Sequence, residues 1–108
     1  MAAFLCRLLP PRPTFAQDMS DAERQVMMAH VGYWTGLARE GKAVAFGPVM
    51  DPKGGWGCGI MEVADETEMK ALAANDPAIK GSIGMKYEIF PMPQLVTRDK
   101  LSQLGNRS

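Results

Sequence analysis

The chain has 108 residues, 46% hydrophobic and 22% charged, which suits one soluble globular domain with a single modest core. Twelve basic residues are matched by twelve acidic ones, so no positive field draws nucleic acid or an anionic membrane, and neither is expected as a partner. No apolar run approaches the roughly 18 residues of a membrane span, and in the opening "MAAFLCRLLPPRP" Arg7 interrupts and Pro10 ends the apolar stretch before it reaches signal-peptide length.

"FLCRLL", residues 4–9, is short, apolar and closed by Pro10, Pro11 and Pro13, which predicts a buried strand and then a stiff loop. Ser20 and Glu23 have capping-box spacing, so a helix should run from there to about Glu40, with Gly41 as its left-handed stop. "AVAFGPV" reads as a second strand, "MDPKGGWG" as turn chemistry and "WGCGIMEV" as a third strand, whose glycines predict close approach of another backbone or a ligand. Asp65 and Glu68 repeat the capping pattern before the short helix "EMKALAAN", and Asp76-Pro77 stops it, since the residue before proline is pushed out of helical geometry. "MKYEIF" is a fourth strand ended by Pro91 and Pro93, and residues 94–108 form a polar tail expected to be mobile.

The order β-α-β-β-α-β predicts an α+β, ferredoxin-like domain over residues 1–93, with a four-stranded antiparallel sheet and both helices on one face. The first strand is apolar on both parities, Phe4, Cys6 and Leu8 alternating with Leu5 and Leu9, and only Arg7 is charged. A sheet face left bare by the helices then needs cover, which predicts a homodimer formed sheet to sheet. Cys6 and Cys58, on neighbouring strands, are expected to stay reduced in a cytoplasmic protein. With the single histidine they cannot build a tetrahedral zinc site of usual spacing.

That histidine, His30, sits in "VMMAHVGYWTGL". With His30 at zero on a helical wheel, Leu37 falls at about −20°, Val26 at about −40°, Trp34 at about +40° and Tyr33 at about −60°. His30 is therefore expected at the centre of the sheet-facing stripe. Two readings follow. It is a core histidine bonded to a backbone carbonyl, or it is a general acid or base, the role imidazole suits best near neutral pH. Asp76 is a candidate partner, yet Asp before Pro is also a favoured helix N-cap. A carboxylate has enough acceptor sites for both duties.

Taken together, the helix-borne histidine in "AHVGYWTGLAREGK", the Gly-Pro strand "AFGPV", the hairpin "GGWGCGI", the acidic helix start "VADETEMKAL", the Asp-Pro of "NDPAI" and the closing "FPMP" resemble the YCII-related family of small bacterial proteins. The resemblance runs from about Phe4 to Pro93. It implies a dimeric α+β barrel and a catalytic histidine and aspartate at the positions of His30 and Asp76. It also points to relatives that eliminate chloride from a chlorinated hydroxyquinol and to the similarly built muconolactone isomerases. Ala78 stands where an aromatic often follows the family's Asp-Pro, and "PPRPTF" is longer than the usual loop, so substrate does not carry over.

Arg7 and Arg12 are candidate anchors for a substrate carboxylate, which a guanidinium grips bidentately; a paired surface charge is the competing role for each. Tyr33 and Trp34 are either core aromatics or pocket walls that stack on a flat ring. The function expected is a proton-transferring isomerase or lyase for a small, cyclic acid or phenol, using neither metal nor other cofactor. The competing function is a non-catalytic dimeric module that binds a small metabolite or is structural. An open cavity beside His30, with Asp76 within hydrogen-bond reach of a ring nitrogen and a pair whose loss costs little stability, favours the enzyme; a filled core with a backbone partner favours the module.

Overall fold

The computed structural model describes residues 1–99; most of the tail expected from residue 94 onward lies outside the described residues. Strands β1 (Ala2–Leu9), β2 (Ala43–Val49), β3 (Trp56–Val63) and β4 (Lys86–Met92) form one sheet in the order β2-β3-β1-β4. All three pairings are antiparallel. Helices α1 (Phe15–Asp18), α2 (Asp21–Arg39), α3 (Glu66–Ala74) and α4 (Pro77–Lys80) complete the chain. This is the expected βαββαβ plan with two single turns, α1 and α4, added in the connections.

The long helix begins as its sequence requires. The Ser20 hydroxyl accepts from the Glu23 amide at 3.1 Å, and the Glu23 carboxylate accepts from the Ser20 amide at 2.9 Å. Two of the orphan amides at the helix start are thereby satisfied. Gly41 follows the helix with φ +82°, a conformation that disfavours any side chain. Asp65 caps α3 in the same manner, accepting from the Glu68 amide at 2.9 Å.

Strand alternation sorts the sheet. Phe4, Cys6 and Leu8 of β1 and Met61 and Val63 of β3 are buried and face the helices, where Trp34 and Leu37 of α2 and Met69 and Ala73 of α3 meet them. Leu5, Arg7 and Leu9 point the other way, beside Ile60, Cys58 and Trp56 of β3 and Phe90 and Glu88 of β4. That second face has no helix over it, and Phe90 is 45% exposed. Cys6 and Cys58 consequently sit on opposite faces of adjacent strands, and both are free thiols.

Two strand ends differ from expectation: β1 starts at Ala2, ahead of Phe4, because it pairs with Val63 of β3. β4 continues through Pro91 to Met92, paired with Ala3 and Phe4. The reason is its place at the sheet edge, where the missing amide of a proline need not cost a ladder bond. Among the described residues no helix is long and apolar enough to cross a membrane.

Candidate active site

Helix α2 carries His30, Tyr33 and Trp34 along one side, and α4 packs against that helix. The centre of the buried stripe is Trp34 and Leu37, 2% and 4% exposed, rather than His30. His30 lies one turn earlier, where the neighbour it meets is Asp76 at the start of α4 instead of the sheet. Its side chain keeps 13% of its surface exposed.

Asp76 does both things its sequence allows. It is extended (φ −63°, ψ 131°) at the N-cap of α4, Pro77 fills the first helical position, and Oδ1 accepts from the Ala78 amide at 2.9 Å. The same carboxylate lies 3.0 Å (Oδ1) and 2.8 Å (Oδ2) from His30 Nδ1. Oδ2 also accepts from Trp34 Nε1 at 3.0 Å and from the hydroxyl of Tyr87 in a short bond. Asp76 is wholly buried, yet all its partners are donors.

Burial pushes the Asp76 carboxyl up, but hydrogen bonds from His30, Tyr87 and the Ala78 amide outweigh it and hold the group below its ordinary value. Burial, and then the adjoining carboxylate, push Tyr87 far above the usual phenol range, so it stays protonated and donates. With Asp76 ionised, His30 Nδ1 is the donor of their bond. Nε2 has no protein partner among the described residues, and no buried side-chain nitrogen or oxygen there is left without one. That outer nitrogen therefore opens to solvent.

Tyr87 was not among the residues singled out from sequence. Its signal was present in "MKYEIF": alternation puts Tyr87 with Ile89 on the helix-facing side, where a phenol needs a partner. Room for Trp34 comes from Gly59, buried on β3, because a Cβ there would collide with the six-membered ring of the indole. The close approach predicted for these glycines is real; what approaches is a side chain of the same domain.

Residues 3–93 match the model of the YCII-related domain family. The chain belongs to that family. In this YCII-related domain the other candidates are spread out. Trp34 is sealed against the sheet and bonded to Asp76, so it forms no open pocket wall. Tyr33 spends its hydroxyl on the Leu72 carbonyl at 2.8 Å. Arg7 is on the sheet face away from the helices, where it pairs with Glu88 at 2.8 Å and lies 4.5 Å over the Trp56 ring. The alternation of β1 keeps it from His30.

Arg12 grips Glu23 with two bonds of 2.8 and 2.9 Å and Asp18 with one of 2.7 Å, which ties the proline-rich loop to the start of α2. Its guanidinium is fully engaged within the chain. A groove of about 370 Å³ lies at the far end of β1, lined in part by Ala2, Phe4, Pro91 and Met92; the His30 end of that strand is marked by Leu8, which faces Tyr87.

Comparison with curated proteins gives no match. Among solved structures the YCII-related domain is similar to the 5-chloro-2-hydroxyhydroquinone dehydrochlorinase of Burkholderia phenoliruptrix, in complex with 2,5-dihydroxybenzoquinone. The TM-score is 0.60 at 20% identity, over 85% of this chain and 95% of that one. It is also similar to SnoaB, a cofactor-independent oxygenase from Streptomyces nogalater, with a TM-score of 0.45 at 11% identity over 90% of this chain and 97% of that one. The likeness to the dehydrochlorinase is one of fold, the α+β arrangement described above.

Proposed function

We propose that the protein is a small cytoplasmic isomerase or lyase that works without a cofactor, in which His30 Nε2 takes a proton from a small, cyclic acid or phenol and returns it where the reaction requires. Asp76 holds the ring in the right tautomer and stabilises its charged form, as carboxylates do in other His–carboxylate pairs. One observation carries this reading. The inner nitrogen of His30 is 2.8 Å from a fully buried carboxylate while its outer nitrogen is open. A histidine wholly enclosed in the core would have both nitrogens satisfied inside the protein, whereas this one leaves Nε2 free to meet a ligand.

The dehydrochlorinase of similar fold suggests the substrate class, a hydroxylated aromatic ring with a leaving group. A ring hydroxyl proton taken by Nε2 and returned to the chlorine-bearing carbon gives a keto tautomer; loss of a second hydroxyl proton with departure of chloride then gives a hydroxyquinone, which removes HCl overall and needs no electron acceptor. The working unit is a homodimer. Leu5, Leu9, Ile60 and Phe90 on the uncovered sheet face supply the apolar surface for it.

The test is release of chloride from 5-chloro-2-hydroxyhydroquinone, alongside isomerisation of small unsaturated lactones, by the wild-type protein and by His30→Asn. Turnover that falls at least about 100-fold in His30→Asn supports proton transfer by this residue. Turnover of neither substrate class leaves the non-catalytic metabolite-binding module as the better account, and equal turnover by the variant removes His30 from the chemistry.

A further inference from the structure

We infer that Tyr87, acting with the indole of Trp34, is a positioning residue for His30: together they fix the direction of the protons around Asp76 and so keep the lone pair of His30 on Nε2. The inference rests on the proton-transfer reading of His30 and adds the residues that make that nitrogen a base.

The directions follow from what each group can do. Trp34 Nε1 is 3.0 Å from Asp76 Oδ2 and 2.9 Å from the Tyr87 oxygen. An indole nitrogen only donates. The Tyr87 oxygen therefore accepts from Trp34, and its one proton is directed to Asp76 Oδ2. The Ala78 amide likewise only donates, to Oδ1 at 2.9 Å. Three donors of fixed sense, one of them the Trp34 N–H that Asp76 shares with the Tyr87 oxygen, surround a carboxylate with no exposed surface and favour its ionised form. The fourth partner, His30 Nδ1, must donate as well. A neutral imidazole with its proton on Nδ1 carries its lone pair on Nε2, the nitrogen without a protein partner.

Removing a donor reverses the logic. Burial favours the neutral form of a carboxyl group, and hydrogen bonds to its charged form are what oppose this. A protonated Asp76 would donate to Nδ1, and the ring proton would move to Nε2, where it blocks the base. Tyr87 reaches this position from β4, opposite Leu8 on the helix-facing side, and Trp34 reaches it through the space at Gly59. Both aromatics act on the outer nitrogen only through Asp76.

The experiment compares wild type with Tyr87→Phe, which deletes one oxygen and keeps the ring, and with Trp34→Phe, which removes the indole N–H should the first variant not fold. Nitrogen-15 NMR of the single histidine reads the tautomer at neutral pH, carbon-13 NMR of the Asp76 carboxyl reads its titration, and steady-state kinetics use 5-chloro-2-hydroxyhydroquinone. We expect the Nδ1–H tautomer in wild type. In either variant we expect an Asp76 midpoint moved upward and a kcat lowered about ten-fold with KM little changed. An unmoved Asp76 midpoint or an undiminished kcat in a folded variant overturns the inference and leaves the His30 reading in place. An Nε2–H tautomer in wild type overturns both, as does a wild type that turns over neither this substrate nor the unsaturated lactones.

Discussion

The six-membered ring of Trp34 occupies the space that a side chain at Gly59 would take. This one contact lets α2 lie close enough to the sheet for Trp34 Nε1 to reach Asp76 and Tyr87, and it couples the core to the site. Gly59→Ala should therefore overpack the core and cost about 1–3 kcal/mol. Gly47→Ala, where a Cβ would meet nothing within 4 Å, should be nearly neutral. Urea denaturation of both variants checks the contrast, and equal losses would mean that Trp34 can swing away at no cost.

The two members of the polar pair should differ in what their loss does to stability, contrary to the expectation that neither matters much. Asp76 is wholly buried and receives four donors besides capping α4 through one of them, whereas His30 retains an open edge. Asp76→Asn sets an amide NH2 group among the donor-only Trp34 and Ala78 N–H groups and relieves the clash only if His30 or Tyr87 turns to accept, and should cost about 2–4 kcal/mol. His30→Asn should cost about 1 kcal/mol, since water can reach the vacated edge. Chemical denaturation with an unchanged m-value measures both, and the reverse order would place the structural weight on the histidine.

The acid side of the stability curve should carry the signature of several lowered carboxylates, Asp76 and Glu23 among them. Asp76 is held below its ordinary value of 3.8, and Glu23, bonded first by Arg12 and then by the Ser20 amide, is held at about 2 against 4.5. A carboxyl group that titrates lower when folded than when unfolded takes up protons first in the unfolded state. Its stabilisation is complete above the unfolded value and is lost as pH falls through the folded one. Stability should thus fall steadily from about pH 4.5 toward pH 2. In Arg12→Ala the fall should become shallower, because Glu23 then keeps only its Ser20 hydrogen bonds and is held less far below its ordinary value. Thermal unfolding midpoints across this range decide the matter.

The two thiols should react unequally. Burial, with Cys58 nearby, pushes Cys6 up to about 12, and its Sγ is packed 3.7 Å from Met69 Sδ. A thiol reagent at neutral pH should modify Cys58 in the folded protein and spare Cys6, since thiolate fraction and access both favour the former. Denaturation without reductant should raise the titre from one to two per chain, counted against the two cysteines of the sequence. A titre below two after denaturation would reveal a bridge that the strand alternation forbids.

Sedimentation at micromolar concentration should give twice the 11.8 kDa chain mass. Leu5→Glu, on the uncovered sheet face, should shift the protein to the monomer while leaving the helix-side core intact, because a charge buried in an apolar interface without a partner is costly. A monomeric wild type would require that face to be covered in some other way.

Local chemistry was enough for much of this molecule. The Ser20–Glu23 box, Gly41, Asp65 and Asp76-Pro77 each act within a few residues of chain, so helix starts and stops could be read directly from them. Alternation in β1 and the order of elements likewise determined a four-stranded sheet with one face covered. Strand ends were less legible: β1 starts at Ala2, where pairing with Val63 extends the ladder, and β4 runs through Pro91, excused by an edge position that depends on the order of strands in space. The site is a different kind of object. His30 and Asp76 are 46 residues apart, Trp34 and Tyr87 are 53 apart, and a wheel drawn for one helix does not contain the partner elements. The residue types and the family resemblance suggested His30 and Asp76. The register of β4 on β1 and the packing of α4 on α2 brought in Tyr87, turned Trp34 inward, and sent Arg7 to the opposite face. Hydrogen-bond direction and burial depend on which groups meet across such distances, and that is decided when the sheet and helices pack, not within any single segment.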